Sequence, residues 1–393
     1  MTTRQVSAES GAGQEAFIRE TYERVRRDYG SAIGSHRTEL VTPALVLDLP
    51  AAKRNIDRMA ATLRDLPTEI RPHIKVHKSP DLGRLQVEAG AIGMSVATVW
   101  EALVFARSGL DHVFVVNTVA GPRKIRALAE LARDVDLMVA IDDASNAADL
   151  AAAARAAGST LGIMIEVDDG MDRCGVDTPE AALALARAVV GMDGLDLRGI
   201  TGYEGHCSLT PDRELRHTRE RTAMTMLVGI AELLEGAGIP CPIRSAGGTA
   251  TWDWTAAYPG ITEIQAGTYV VMDNFHGQMV GGFEHSLTVQ TTVISRPSDR
   301  VIVDAGNKSM GAGDMASIVG HPETSFRFDE EHGIFAASSG TSLKVGDSVA
   351  LVPGYSPSTV NWYDAFHVVE DDVVVDIWPV IPRGPGHHGL APG

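Results

Sequence analysis

The residues from Arg71 to Lys78 are the ones whose chemistry most needs an explanation. They carry β-branched Ile74 and Val76, a pattern that predicts a short strand, with Lys75 between two histidines. Lysine is almost never fully buried without a partner, so Lys75 on a buried strand needs a reason to be there. A desolvated amine loses its proton readily and can form a Schiff base with an aldehyde. A strand whose cations simply reach solvent is the simpler interpretation, and this stretch alone favours it.

Two later segments are rich in glycine and could hold an anion. They read Ser-Ala-Gly-Gly-Thr at 245–249 and Gln-Ala-Gly-Thr-Tyr at 265–269. Glycine lets backbone N–H groups approach an anion without a Cβ in the way. A tight turn would explain the first segment by itself. Two such segments after neighbouring strands favour phosphate binding instead.

The elements that must position these residues follow a regular rhythm. Eight β-rich segments alternate with helical patterns, near 69–76, 92–97, 113–116, 137–141, 161–167, 197–203, 242–245 and 262–265. The count and spacing predict an α/β fold, a (β/α)8 TIM-type barrel. An open doubly wound sheet is the alternative, but no G-x-G-x-x-G follows the first strand.

A barrel of this type builds its site at the carboxyl ends of its strands. The first strand ends in Lys75 with His73 and His77. The fifth is followed by a loop that carries Arg173, and the sixth ends in Tyr203 and His206. From the residues alone, Arg173 could instead form a surface ion pair, and His206 could be a hydrogen-bonded core histidine.

After His285 the pattern changes to short strands separated by Gly, Pro and Asp turns, which predicts an all-β domain. We therefore expect an N-terminal arm at 1–40, the barrel at 41–285 and the β domain at 286–393. The strand at 44–49 lies outside the barrel count and could join the β domain.

Composition narrows the class of protein. The formal net charge of −17 argues against nucleic acid or an anionic membrane as partner. The three cysteines are far apart and lack metal-type spacing, which fits reduced thiols. The first residues lack the apolar core of a secretion signal, and no apolar run could span a bilayer. We expect a cytoplasmic enzyme or binding protein.

The segment Pro-His-x-Lys-x-His-Lys at 72–78 resembles the cofactor-lysine signature of the D-threonine aldolase and D-serine dehydratase family. These are fold-type III pyridoxal phosphate (PLP) enzymes whose barrel is related to the alanine racemase N-terminal domain. The run 169–175 is similar to the family's D-x-G-M-x-R-x-G segment, and the two glycine-rich segments resemble its phosphate loops. Residues 359–364 and 375–379 resemble the end of its β domain, so the resemblance covers roughly 40–385.

The resemblance implies roles for these residues. Lys75 would hold PLP and move the Cα proton of the substrate, with His73 and His77 as pocket residues. Arg173 would face the phenolic oxygen of the cofactor, and His206 would lie against its pyridine ring. Gln265 would stand near the pyridine nitrogen, where related racemases place an arginine, and a neutral partner there would temper the electron sink. The phosphate would be held by Gly248, Thr249, Gly267 and Thr268, with help from Tyr269.

One segment departs from the family pattern. The family places a divalent-metal pair, His-x-Asp or His-x-Cys, just before Thr-Val-Asn, where this chain has Tyr355 and Pro357. Neither proline nor a neutral tyrosine replaces a histidine and carboxylate pair, so we assign no metal ligands and doubt a divalent metal. His367, His387 and His388 could bind metal in principle, but the first belongs to a predicted strand and the others to a tail.

The leading hypothesis is a PLP-dependent lyase that resembles D-threonine aldolase and cleaves a β-hydroxy-D-amino acid to glycine and an aldehyde. Without a metal, the base for the β-hydroxyl proton would be His77, His206, Tyr203 or Tyr355. The alternatives are an amino-acid racemase or epimerase, which could use Lys75 and Tyr355 on opposite sides, and a D-hydroxyamino-acid dehydratase.

A non-catalytic PLP-binding protein is the remaining class. Such proteins resemble the barrel but lack the β domain that residues 286–380 predict here, which argues against this class. We expect a small-molecule amino-acid substrate, and the family implies a homodimer.

Overall fold

The computed structural model describes residues 3–320, 325–337 and 342–385. It begins with a long helix, α1 (Thr3–Tyr29), and continues through single 3-10 turns at Gly30–Ala32 and Arg37–Glu39 to strand β1 (Ala44–Asp48). Residues 386–393, which were predicted to belong to the β domain, lie outside the described residues.

Eight parallel strands form the barrel. They are β2 (Glu69–Ile70), β3 (Met94–Val96), β4 (His112–Thr118), β5 (Asp136–Ile141), β6 (Leu161–Val167), β7 (Leu195–Gly202), β8 (Ile243–Ala246) and β9 (Glu263–Ile264). They hydrogen-bond in the order β2-β9-β8-β7-β6-β5-β4-β3. A parallel bridge between His73 and Ser95 joins the two ends of this order and closes the circle. The predicted (β/α)8 barrel is confirmed.

Helices cover the outside of the barrel. They are α2 (Leu49–Leu63), α3 (Pro80–Glu88), α4 (Val99–Arg107), α5 (Pro122–Leu131), α6 (Ala144–Ala157), α7 (Pro179–Val190), α8 (Arg213–Gly236) and α9 (Trp252–Ala257). Proline occupies the first turn of α2, α3, α5 and α7, where its missing N–H costs nothing. Of the helices that the structure describes, none is long and apolar enough to cross a membrane.

The described residues that follow the barrel form most of a second sheet, as predicted for an all-β domain. After the short helix α10 (Asn274–Gly277) come β10 (Leu287–Ser295), β11 (Arg300–Val303), β12 (Ser317–Ile318), β13 (Ser325–Phe328), β14 (Gly333–Ala336), β15 (Ser348–Val352), helix α11 (Ser356–Val360), β16 (Ala365–Glu370) and β17 (Val373–Pro379). Strand β1 lies inside this sheet, antiparallel to β10 and parallel to β16.

The stretch around Lys75 differs from the strand predicted over 69–76, and that prediction is wrong beyond Ile70. Residues Ile74–Val76 form a single 3-10 turn instead. Pro72 has no N–H with which to continue the ladder. The His73 ring then accepts a hydrogen bond from the Lys75 backbone N–H at 3.3 Å, which favours the turn. Lys75 therefore lies on a turn after β2.

Helix α1 connects the two sheets. Its Tyr22 hydroxyl donates to Asp81 of α3 at 2.8 Å, and its Arg24 pairs with Asp364, just before β16, at 3.2 Å. The Phe17 ring packs edge-on against Trp100 of α4. The helix thus contacts both the barrel and the β domain.

Candidate active site

A pocket opens at the carboxyl ends of the barrel strands, and a β-domain segment before α11 reaches into it. The predicted site residues that line it are His73, Lys75, Arg173, Tyr203, Gly248, Thr249, Gln265, Gly267, Thr268 and Tyr355. His77, His206 and Tyr269 do not line it.

The Lys75 side chain is enclosed in this pocket without a counterion. Its amine has no hydrogen-bond or ion-pair partner among the described residues and lies 5.5 Å from the centre of the Tyr203 ring. Burial lowers the pKa of the Lys75 amine, an effect that the Glu101 carboxylate opposes and the Arg173 guanidinium reinforces. A neutral, unpaired amine is the form that attacks a carbonyl carbon.

The other cations of the same stretch are paired. The Lys78 amine donates to Glu101 at 2.5 Å and to the Pro382 carbonyl at 3.0 Å. Arg71 pairs with Glu263 at 3.1 Å. These side chains are buried, so they support the fold of the strand end, and Lys75 is left facing the pocket.

The two glycine-rich segments form a cradle beside Lys75. A Cβ on Gly267 would lie 2.4 Å from the His73 carbonyl oxygen, and one on Gly248 would lie 3.2 Å from the Tyr203 ring. The backbone N–H groups of Thr249, Gly267 and Thr268 have no hydrogen-bond partner among the described residues. Converging N–H donors without partners bind phosphate well. The residues present therefore fit the phosphate of PLP.

The loop after β6 is held in shape by one carboxylate. Asp168 accepts hydrogen bonds from the backbone N–H groups of Met171 at 2.9 Å, Asp172 at 3.0 Å and Arg173 at 3.2 Å. Burial by itself would raise the pKa of Asp168, but these hydrogen bonds lower it below the usual range. The loop carries Arg173, whose guanidinium carbon lies 5.7 Å from the centre of the Tyr203 ring.

Hydrogen bonds to two hydroxyl groups orient the Gln265 side chain. Its amide nitrogen donates to the hydroxyls of Thr201 at 3.0 Å and Ser245 at 2.8 Å. Both N–H groups are therefore used, and the amide oxygen remains for a bound molecule. An amide oxygen can accept a hydrogen bond but adds no positive charge.

His77 and Tyr269 form a buried chain beside the pocket. Gln86 joins them: its amide oxygen lies 3.1 Å from the His77 Nε2, and its amide nitrogen donates to the Tyr269 hydroxyl at 2.9 Å. The other His77 nitrogen accepts from the Ser79 N–H at 3.1 Å. Burial lowers the pKa of His77 to about 4, so the ring is neutral. These side chains support the wall of the pocket.

His206 lies behind the loop that carries Arg173. A Cβ on Gly170 would lie 2.9 Å from its ring, and its Nε2 is 3.7 Å from the Cys207 sulfur. Its Nδ1 is buried without a partner among the described residues. The ring therefore packs against this loop and does not line the pocket.

Glu166 lines the pocket and was missed at the level of sequence. Burial raises the pKa of its carboxyl group to about 7, although the Arg173 guanidinium opposes the shift. The signal was a single glutamate in the otherwise apolar strand β6, at the end where a barrel builds its site.

His276 and Asp273 were also missed. His276 lines the pocket, its Nδ1 lies 2.8 Å from the Asp273 carboxylate, and its ring stacks on Tyr355 with centres 6.2 Å apart. The other Asp273 oxygen accepts from the backbone N–H and the hydroxyl of Ser356, at 2.8 and 2.9 Å. The sequence signal was an Asp-x-x-His spacing shortly after the second glycine-rich segment.

Tyr355 and Pro357 are poor ligands for a divalent metal. Burial, with the nearby Asp273 carboxylate, raises the pKa of Tyr355, so its hydroxyl is neutral, and Pro357 offers no ligand atom. Among the described residues, no group of three or more His, Cys, Asp or Glu side chains could hold a metal ion. The His367 Nδ1 lies 3.2 Å from the Leu45 carbonyl oxygen inside the second sheet. His387 and His388 lie outside the described residues.

Known protein families match both the barrel and the β domain of the chain. The chain matches the alanine racemase N-terminal domain over residues 47–274 and a putative serine dehydratase domain over 286–369. It is 36% identical over 351 residues to D-threonine aldolase of Arthrobacter sp, covering 87% of this chain and 93% of the relative. It is 34% identical over 368 residues to 3-hydroxy-D-aspartate aldolase of Paracoccus denitrificans (strain Pd 1222), covering 90% and 95%.

The crystal structure of D-threonine aldolase from Filomicrobium marinum is similar with a TM-score of 0.86 at 31% identity, over 89% of this chain and 98% of that chain. Sequence and structure therefore agree over nearly the full length of both proteins, barrel and β domain together. On this basis the chain belongs to the D-threonine aldolase and D-serine dehydratase family, fold-type III PLP-dependent lyases whose barrel is the alanine racemase N-terminal domain.

Proposed function

We propose that the chain is a PLP-dependent aldolase that cleaves a β-hydroxy-D-amino acid to glycine and an aldehyde. The observation that carries this proposal is the Lys75 amine, which is enclosed without a counterion beside a cradle of unpaired N–H groups. Two relatives that are similar over most of their length are aldolases named for D-threonine and 3-hydroxy-D-aspartate. Both names describe a D-amino acid with a β-hydroxyl group.

Different pocket residues are proposed to bind different parts of PLP. Lys75 is proposed to bind it covalently, and the N–H groups of Thr249, Gly267 and Thr268 to bind its phosphate. PLP, when bound, supplies the electron sink for the bond that breaks at Cα. The Gln265 amide would stand near the cofactor as a neutral partner, because its two N–H groups are already used by Thr201 and Ser245.

Two pocket residues are proposed to handle the charges around the reacting bond. Arg173 is preorganised by the loop that Asp168 ties together, and it offers a fixed positive charge to an oxygen anion. Lys75, once its amine is free, can deliver a proton to Cα and complete glycine. The Tyr203 ring is an aromatic wall near both cations, 5.5 Å from the Lys75 amine and 5.7 Å from the Arg173 guanidinium carbon.

The substrate screen that tests this function follows two products. Purified protein with added PLP is incubated with D- and L-forms of threonine, 3-phenylserine and 3-hydroxyaspartate, and aldehyde and glycine are measured. We expect both products from D-forms only. No aldehyde from any D-β-hydroxy amino acid would overturn the proposal.

A racemase is the second candidate, because Lys75 and Tyr355 line the same pocket and could act on the two faces of Cα. Incubation of D- and L-amino acids in D₂O separates the two functions. A racemase gives Cα deuteration with loss of optical purity and no aldehyde. Ammonia and a keto acid would instead indicate a dehydratase, in keeping with the match over residues 286–369.

We further propose a cytoplasmic homodimer. The three cysteines are free thiols in the structure, which suits a reducing compartment, and the family resemblance implies the dimer. Light scattering on the purified protein should give twice the chain mass of 41.8 kDa, and a monomer mass across the working concentration range would refute the dimer.

A further inference from the structure

Asp273 and His276 form a buried carboxylate–histidine pair in the wall of the pocket. Asp273 is fully buried, and His276 is only 7% exposed. The Asp273 carboxylate accepts from the His276 backbone N–H at 2.9 Å and contacts its Nδ1 at 2.8 Å. The pair is therefore set by one short turn of α10, with Asp273 at its start.

The β domain fixes the orientation of the pair from the other side. Ser356 gives both of its donors to the second oxygen of Asp273. Tyr355, the preceding residue, places its ring parallel to His276 at an interplanar angle of 18°. A carboxylate at Nδ1 selects the tautomer with the proton on that nitrogen, so Nε2 carries the free lone pair.

The Nε2 atom of His276 is thus a base without a partner among the described residues, on a ring that lines the pocket. We propose that His276 takes the proton of the β-hydroxyl group of the substrate and that Asp273 positions it. This inference rests on the proposed aldolase function.

In this step the protein moves two protons. The hydroxyl proton passes to His276 Nε2, the oxygen forms the C=O bond of the aldehyde, and the Cα–Cβ bond breaks with its electron pair going to Cα. Lys75, protonated once its amine is free, then gives a proton to Cα and regains one from water, and His276 releases its proton to water as the aldehyde leaves. Glycine and aldehyde contain all atoms of the substrate, and no oxidant or reductant is needed.

The other candidate bases are less suited to this step. His77 and His206 do not line the pocket. Burial raises the pKa of Tyr203 to about 12, with Glu204 and Tyr355 adding to the shift, and it also raises the pKa of Tyr355. Both hydroxyls therefore keep their protons. The Nδ1 of His73 is occupied by the N–H of Lys75.

The decisive variant is His276→Gln, which keeps the size and one polar contact but removes the base. We expect kcat for aldehyde release to fall by about 100-fold or more, the usual contribution of general base catalysis. Two other readouts should stay unchanged: the absorbance of bound PLP, and deuterium exchange at Cα of glycine in D₂O. Glycine has no β-hydroxyl group, so its exchange needs Lys75 but not His276.

Asp273→Asn tests the positioning residue. It should lower kcat by about tenfold or more because it disturbs the tautomer and orientation of the ring, with KM nearly unchanged. The exposed His112→Gln, at the start of β4 and at the opposite end of the barrel, is the matched control and should behave as wild type.

The outcomes are distinguishable. Normal aldehyde release by His276→Gln overturns this inference but leaves the aldolase function standing. Loss of PLP absorbance or glycine exchange in the same variant also overturns it, since His276 would then be structural. Partial restoration of aldehyde release to His276→Ala by added imidazole supports it. No aldehyde from the wild type removes the proposed function and this inference together.

Discussion

At the scale of single residues, the pocket is defined by which polar groups lack a partner. Lys78 and Arg71 are buried with carboxylates, whereas the Lys75 amine and the N–H groups of the cradle are left for a ligand. Burying an unpaired polar group costs free energy, so its persistence is best explained by a ligand that pairs with it.

Gly267→Ala should weaken PLP binding by at least about tenfold. The new Cβ would lie 2.4 Å from the His73 carbonyl oxygen, a backbone atom that cannot move without displacing the turn of Lys75. Fluorescence titration of the PLP-free protein measures the dissociation constant. Gly229→Ala on α8 is the control, because nothing lies within 4 Å of its Cβ. Equal affinity in both variants would contradict the cradle.

Glu166→Gln should change how stability depends on pH. Burial raises the folded-state pKa of Glu166 from 4.5 to about 7, so the folded protein binds a proton that the unfolded chain has released. This carboxyl group therefore makes the wild type less stable as pH rises from about 5 to 7, by at most about 3 kcal/mol. Thermal unfolding of both proteins without PLP should show that the variant gains stability relative to wild type between pH 5 and pH 8. Parallel pH profiles would refute the assignment.

At the scale of elements, the barrel could be predicted from the regular alternation of apolar segments. Parallel strands that are buried on both faces leave a strong apolar pattern in the sequence. The turn at Ile74–Val76 could not be predicted in this way, since it depends on Pro72 and on a local hydrogen bond to the His73 ring. The pair of Asp273 and His276 was even harder to predict from the sequence. Its orientation needs Ser356, which lies 83 residues beyond Asp273 in the chain.

Side-chain direction also limited the prediction of the site. His77 and Tyr269 lie beside pocket residues in sequence, but their side chains point into the core and meet through Gln86. A family motif identifies the segment that approaches the cofactor. It does not show which of two neighbouring side chains faces the pocket.

The residues at the start of α11 predict how activity responds to metal. Treatment with EDTA should leave aldehyde release unchanged, and added Mn²⁺ or Mg²⁺ should not raise it, because Tyr355 and Pro357 offer no histidine or carboxylate ligand. Elemental analysis of the same sample is the control for complete removal. Activity that is lost on chelation and restored by Mn²⁺ would contradict this expectation.

At the scale of the whole molecule, β1 and α1 link the barrel to the β domain. Strand β1 precedes the barrel in sequence but lies between β10 and β16, and α1 contacts both parts. Tyr355 lines the pocket itself, and Ser356 holds Asp273 beside it. The site is therefore complete only when the two parts are assembled.

A chain that ends at residue 285 should not fold stably. Strand β1 would lose both neighbours and expose Leu45 and Leu47, which are fully buried in the complete protein. Soluble yield and thermal unfolding by circular dichroism measure the effect. A cooperative unfolding transition in this fragment would show that the barrel is independent of the β domain.

Lys75 is proposed to carry the cofactor of a PLP-dependent lyase. Reduction of the PLP-saturated protein with borohydride, followed by digestion and mass spectrometry, tests it directly, because reduction makes the bond between lysine and cofactor permanent. We predict one phosphopyridoxyl group on the peptide that contains Lys75, with Lys78 unmodified. A label on another lysine, or no label at all, would refute Lys75 as the cofactor lysine.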